Sequence, residues 1–284
     1  MSRPATIGLA QLTARLYDPE VNRRTATQAV QHLFLGGADL VVLPELMSSG
    51  YGCDRARLHD VAEPIDGPTV CAWQAAAARS GGLVAGGVCE RDGEDVYDTA
   101  VLVDGDDVLL HYRKLHLFAQ EKLTFTPGDR GLPVAQTRLG VVGLCICYDL
   151  RFVETVRALA LQGAELIAVP TAWLPGFDRE RWDAGGYAPQ ARGALLQANL
   201  DQVYIACASQ AARNREVEFL GSSLLCDPYG KPVLGPLSGS RQELVAAAID
   251  LDAVSRAHER EPLIQPQADR RTDVYGLAVG GHVL

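Results

Sequence analysis

The 284-residue chain lacks the marks of several large protein classes. No apolar run reaches the ~18 residues that a membrane-crossing helix needs, so a helical span is excluded. The N-terminal MSRPATIGLAQLT has no signal-peptide core, and a cytoplasmic location is the expectation. An excess of positive charge is missing too. The 26 basic and 35 acidic residues give a net charge of −9, which argues against partners such as nucleic acid or anionic membrane. There is no C-x-x-C pair, and the odd number of cysteines (Cys53, Cys71, Cys89, Cys145, Cys147, Cys207, Cys226) lie mostly in apolar runs. That speaks against a disulfide framework and predicts buried thiols. The histidines show no metal-ligand spacing, since HYRKLH at 111–116 is not an i, i+4 pair. No metal and no other cofactor is expected. Linkers rich in Ser, Gly or Pro and internal repeats are also missing, which predicts one domain over 1–284.

What the chain has is a series of short β-branched runs. They lie at 6–12, 40–45, 83–90, 99–104, 108–114, 141–148, 165–171, 203–209, 222–227 and 244–250. Several are uninterrupted apolar stretches, which suits strands buried on both faces. Alanine-rich helical candidates fall at 19–36, 68–80, 151–163 and about 183–199. TAVLVD and VLLHYRK are separated by Gly-Asp, a hairpin signal. Strands alternating with helices, plus hairpins, predict an α/β fold with mixed sheets. The tail over about 253–284 is polar and poor in strand signal, so it is expected to wrap the domain or dock on a partner subunit.

Three of the apolar runs end in a reactive side chain: Glu45 in LPELMSSGY, Lys114 in YRKLHLF and Cys147 in GLCICYDLRF. A thiol nucleophile needs a base for its proton and a positive group for the oxyanion formed on attack. Glu, Lys and Cys can fill those roles together. Cys147 falls where a strand should turn into a helix capped by Asp149, a place where a side chain projects and backbone N–H groups converge. A helix N-terminus there would also lower the thiol's pKa. Cys145, two residues back, is expected to pack in the core. Arg113 should point opposite to Lys114, leaving one of the two facing solvent. Each residue alone is more often structural; the joint occurrence is what points to a hydrolase.

PELMSSGY, YRKLHLF followed by EKLTFTPGD, and GLCICYDLRF resemble the nitrilase, or carbon–nitrogen hydrolase, superfamily, and the resemblance runs from TIGLAQLT to about residue 250. It implies an α-β-β-α sandwich that pairs into a homodimer. It further implies Glu45 as general base, Lys114 as oxyanion donor, Cys147 as nucleophile and the Tyr148 N–H in the oxyanion hole. Glu121 is implied to position Lys114 and the substrate. Two departures stand out: Val153 replaces a usual proline, and Gln197, Leu200 and Asp201 stand in the usual Arg, Glu and Asn places.

The expected substrate is a small linear amide, hydrolysed to acid and ammonia through a thioester. Tyr51, Trp173, Asp178 and Glu218 are candidate substrate contacts, the acids suiting an ω-amino or guanidino tail. A nitrilase or N-carbamoyl amidohydrolase with the same triad is the alternative. Tryptophan commonly follows the nucleophile in true nitrilases, so Tyr148 disfavours nitriles. An idle interaction scaffold is opposed by the intact triad. GGLVAGG at 81–87 lacks the G-K-[ST] ending of a phosphate loop and reads as a strand with close backbone packing.

Overall fold

The computed structural model describes residues 2–176 and 178–284; Met1, and Phe177 within the 170–183 loop expected to shape the pocket, lie outside the described residues. In chain order the strands of the first half are β1 (Pro4–Gln11), β2 (Leu40–Val42), β3 (Leu83–Asp92), β4 (Asp95–Val103) and β5 (Val108–Arg113). The second half supplies β6 (Val134–Thr137), β7 (Gly140–Leu144), β8 (Leu166–Thr171), β9 (Tyr204–Ser209), β10 (Leu224–Cys226) and β11 (Pro232–Leu234). β12 (Glu243–Asp250) returns to the first sheet, whose order is β12-β1-β2-β3-β4-β5; the second runs β11-β10-β9-β8-β7-β6. Both sheets are mixed, parallel at the centre and antiparallel at the edges.

The helices are α1 (Pro19–Leu35), α2 (Arg55–Val61), α3 (Pro68–Ser80), α4 (Glu121–Thr124), α5 (Val153–Leu161), α6 (Pro189–Asp201) and α7 (Asp252–His258). Alternation along the strands explains the layering. Leu40 and Val42 face the core between the sheets, while Val41 and Leu43 join a second core beneath α1 and α3. A strand clothed on both faces can carry no polar face, hence the uninterrupted runs. Each fully buried Leu, Ile or Val contributes about 1.5–3 kcal/mol. The result is an α-β-β-α sandwich.

Local signals set the element ends. Pro68 occupies the first turn of α3, where its missing N–H costs nothing, and Gly81 closes it at φ 69°. β3 carries the glycines of GGLVAGG. A Cβ on Gly86 would stand 2.7 Å from the buried Trp73 ring. On Gly87 it would stand 2.6 Å from Glu45 Cα, so that glycine lets the chain bearing Glu45 lie directly on the sheet.

Several expectations are corrected. The segment after Cys147 is first a 3-10 turn over Cys147–Arg151, and α5 begins only at Val153 with Phe152 as its N-cap. Asp149 does not cap that helix; its buried carboxylate ties the turn together by accepting from the Ile146 N–H at 2.9 Å. α6 starts at Pro189 rather than near 183, because Asp183 accepts from the Gly185 and Tyr187 N–H groups and folds the preceding residues into a turn. The tail carries α7 and a small hairpin of β13 (Ala278–Val279) and β14 (His282–Val283). Val153, Leu196 and Leu200, with Leu263, Val274 and Tyr275 of the tail, are exposed. No helix among the described residues is long and apolar enough to cross a membrane.

Candidate active site

Glu45 lies three residues beyond β2, where its N–H bonds the Thr171 carbonyl of the other sheet at 3.3 Å and Gln210 Nε2 donates to its carbonyl at 2.9 Å. The carboxylate is therefore fixed at the seam between the sheets. Lys114 follows β5. Its chain is braced by Gly128 of the TPGD segment, whose N–H donates to the Lys114 carbonyl at 2.9 Å. A Cβ on Gly128 would sit 2.0 Å from the Arg113 carbonyl oxygen, so only glycine fits. Glu121 opens α4, and Cys147 ends the run through β7 in a left-handed conformation, φ 45°. A non-glycine residue in that region stores strain, as tight nucleophile turns do.

These four side chains come together. Lys114 Nζ donates to Glu45 Oε1 at 2.5 Å and to Glu121 Oε2 at 2.7 Å. Glu121 also accepts from the Tyr51 hydroxyl at 2.6 Å and from the Phe118 N–H at 2.8 Å. Glu45, Lys114 and Glu121 are fully buried, while Cys147 is half-buried. Burial pulls the Lys114 amine down, but the Glu121, Glu45 and Asp98 carboxylates outweigh it and hold the pKa well above the usual lysine value. Lys114 is an ammonium, with two of its three N–H groups placed on carboxylates.

The thiol runs opposite to the sequence expectation. Burial, reinforced by the Glu45 charge, pushes Cys147 well above the ordinary thiol range, and Lys114 only partly opposes it. The turn after Cys147 does not make a resting thiolate. The nucleophile therefore needs a base at the moment of attack. Cys145 is buried in the core between the sheets, as its position on the strand implied. Arg113 does point away from Lys114, but it is not solvent-facing: it is buried, paired to Glu90 at 2.6 Å and Asp92 at 2.7 Å.

A narrow cleft beside Cys147 is lined by Tyr51, Phe118, Tyr148, Leu150, Ala172, Trp173 and Leu174, with Gln190 and Arg151 as its other members. Tyr51 and Trp173 thus lie where the sequence placed them. Trp173 is buried, and its indole N–H has no hydrogen-bond partner among the described residues. Asp178 and Glu218 stand outside this lining; Glu218 is half-buried and pairs with Arg181 at 3.0 Å. Gln197 donates to the Leu150 carbonyl behind the nucleophile turn, and Asp201 pairs with Arg157 at 2.7 Å. Two of the three departures thus make local bonds, while Leu200 is exposed.

One site residue escaped sequence reading. Asp98 of β4 is buried with Oδ2 3.2 Å from Lys114 Nζ. The β-branched run at 99–104 begins one residue after Asp98, whereas β4 itself begins at Asp95. An acid inside VYDTAVLV, on the face that alternation gives to the interior, was the available signal. Glu45, Asp98 and Glu121 bring oxygens within 4.8 Å of one another, a spacing a metal ion could use. Here the Lys114 ammonium stands among them.

Comparison with known proteins agrees with this geometry. The family description "Carbon-nitrogen hydrolase" matches residues 6–259. A nitrilase of Pyrococcus abyssi is 32% identical over 273 residues, 95% of this chain and 98% of the relative. The 2-oxoglutaramate amidase of Bacillus subtilis is 33% identical over 245 residues, 84% of this chain and 87% of the relative. Among solved structures, a double mutant of the Nesterenkonia amidase in complex with acrylamide superposes with a TM-score of 0.78 at 26% identity, covering 96% of both chains.

Proposed function

The chain belongs to the carbon–nitrogen hydrolase family, and on that premise we propose that it is an amidase that converts a small linear carboxamide into an acid and ammonia through a cysteine thioester. Its hydrolysis of C–N bonds other than peptide bonds follows from the family; the substrate and the residue roles are the proposal. The observation that carries it is the Lys114 ammonium held between Glu45 and Glu121, with a neutral thiol beside them on a strained turn.

The steps follow from the charges. Glu45 takes the Cys147 proton as the sulfur attacks the carbonyl carbon. The remaining Lys114 N–H and the Tyr148 backbone N–H stabilise the oxyanion. Glu45 then delivers the proton to nitrogen as the C–N bond breaks, and ammonia leaves. Water enters, gives a proton to Glu45 and attacks the thioester; the C–S bond breaks, the acid departs and the proton returns to sulfur. Glu121 holds Lys114 in place, with the Tyr51 hydroxyl fixing the other carboxylate oxygen.

The cleft supports a short, uncharged acyl group. Its walls are mostly apolar and aromatic. The acids expected to bind a cationic tail do not support that refinement: Glu218 is tied to Arg181, and Asp178 stands outside the cleft lining. Acrylamide, bound by the Nesterenkonia amidase, has the size and charge this reading favours. The exposed apolar side chains on α5, α6 and the tail further support a homodimer through that face, which sedimentation velocity will test as a two-chain mass at micromolar concentration.

The deciding measurement is ammonia release from a panel of short aliphatic, ω-amino, guanidino and ω-carboxy amides, an N-carbamoyl amine and a nitrile, with Cys147→Ala as control. Short neutral amides should give the highest kcat/KM. A panel led by the cationic amides would overturn the proposed pocket, and one led by the nitrile or carbamoyl compound would overturn the amidase reading.

A further inference from the structure

The Lys114 cluster contains more acid than its cation can serve. Glu45, Asp98 and Glu121 share one ion-pair partner among the described residues, Lys114. Its ammonium hydrogen-bonds one oxygen of Glu45 and one of Glu121. Asp98 Oδ2 stands 3.2 Å from Nζ as an ion-pair contact, yet neither Asp98 oxygen has a hydrogen-bond donor. Glu45 Oε2, the oxygen turned away from Lys114, has none either. All three atoms are buried, and carboxylate oxygens of Asp98, Glu45 and Glu121 come within 4.8 Å of one another.

Three carboxylates crowded in a dry interior around a single ammonium cannot all stay ionised; such clusters keep a proton. We propose that Asp98 is a positioning residue held as the neutral acid, donating its proton to Glu45 Oε2 so that Glu45 stays ionised and correctly aimed as the base. The bond accounts for two of the three orphaned oxygens: one Asp98 oxygen becomes the donor and Glu45 Oε2 the acceptor, while the remaining Asp98 oxygen keeps its ion-pair distance to Lys114 without taking an N–H. It also leaves the third Lys114 N–H to the substrate.

The surroundings favour the neutral form. Asp98 is faced by Glu45 from the chain after β2, by Glu121 of α4 and by Lys114 after β5. Cys89 of β3 lies opposite Asp98 in the strand register and is a further titratable neighbour. Burial pushes the Asp98 carboxyl well above the usual carboxylate range; Lys114 opposes this, while Glu45 and Glu121 reinforce it. A raised pKa means that folding takes up a proton. Stability from this group is then full below the ordinary aspartate value and declines as pH rises towards the folded value.

The proton itself rests on geometry alone; its catalytic use rests on the amidase reading, and the test keeps the two apart. Asp98→Asn preserves shape and offers an N–H to Glu45 Oε2, while Asp98→Leu preserves branching and offers none. At pH 7 the wild type should show a protonated-carboxyl C=O band in the infrared that Asp98→Asn lacks. Asp98→Asn should also raise Tm at pH 7, by more than it does at pH 5. Alkylation of Cys147 by iodoacetamide, followed by mass mapping, reads the base without any amide substrate. It should slow tenfold or more in Asp98→Leu and be restored to within about threefold of wild type in Asp98→Asn, with kcat on the best amide following and KM steady. A lower Tm in Asp98→Asn together with no carboxyl band would show an ionised Asp98 and overturn the proposal. Equal loss of alkylation in both variants would overturn the positioning role even with the band present. Failure of every amide alongside the expected band, Tm and alkylation results would leave Asp98 as inferred and overturn the substrate reading instead.

Discussion

Lys114 and Arg113 are neighbours at one strand end, both buried, both facing three acids, and they differ in completeness. On the Arg113 side, Glu90 accepts from Arg113 at 2.6 and 3.1 Å and from Thr99 at 2.6 Å, with His111 at 2.8 Å. Arg113 adds Asp92 at 2.7 Å and Asp129 at 3.2 Å and lies 3.8 Å over the Tyr97 ring. No side-chain atom of Glu90 or Arg113 is left buried without a partner. On the Lys114 side, Glu45 Oε2 and both Asp98 oxygens are left without donors. A closed network fixes the strand; an open one keeps donors and acceptors for a substrate and a proton. The same fold element carries a scaffold on one face and chemistry on the other, and alternation along β5 separates them.

The largest test of that contrast is on the open side. Glu45→Gln is nearly isosteric and removes the base, so kcat should fall by roughly 10³-fold or more while the fold persists. Cys147→Ala should do at least as much. The measurement is single-turnover ammonia release beside a thermal melt. A Glu45→Gln enzyme with near wild-type turnover would erase the distinction between the two faces, since neither would then be catalytic.

The closed side should respond in the other currency, stability. Arg113→Met leaves Glu90 buried with only Thr99 and His111 as partners, and removing one partner of a buried pair costs about 3–5 kcal/mol. Urea denaturation should show that loss, while kcat per folded molecule stays within about twofold. A collapse of kcat in fully folded Arg113→Met would mean that the two faces are coupled through the strand.

How much of this was legible in sequence follows from the same split. Glu45, Lys114 and Cys147 could be read because each ends an apolar run, and the sandwich could be read because doubly buried strands such as LVV at 40–42 carry no polar face. α3 matched over 68–80 because proline and glycine mark its two ends. Alternation marks Asp98 as an interior acid, but its partners and those of the Glu90–Arg113 network could not be read, because they sit across strands and only pairing register brings them together: Thr99 lies opposite Arg113, and Asp98 opposite Cys89. The 3-10 turn after Cys147 was hidden for a similar reason. Asp149 serves the Tyr112 hydroxyl at 2.7 Å and His116 Nδ1 at 2.8 Å, contacts with β5 and the chain after it that local propensity does not contain.

The smallest and sharpest test is the sign of a pH slope. Burial alone would raise Glu90, but the His111, Arg113 and Thr99 hydrogen bonds prevail and lower it from 4.5 to about 2. A depressed carboxylate contributes stability that is present above its unfolded value and lost as pH falls through the folded one. The wild-type melting temperature should therefore decline between about pH 4.5 and pH 2 partly through Glu90. Glu90→Gln should start lower at pH 7 and decline less over that window. Asp98→Asn should show the reverse, gaining on the wild type as pH rises from 5 to 7. Two buried acids on the paired strands of one hairpin would then titrate in opposite directions because one has all its donors and the other is its own donor. Parallel slopes in the two variants would remove the physical basis for calling one face scaffold and the other active site.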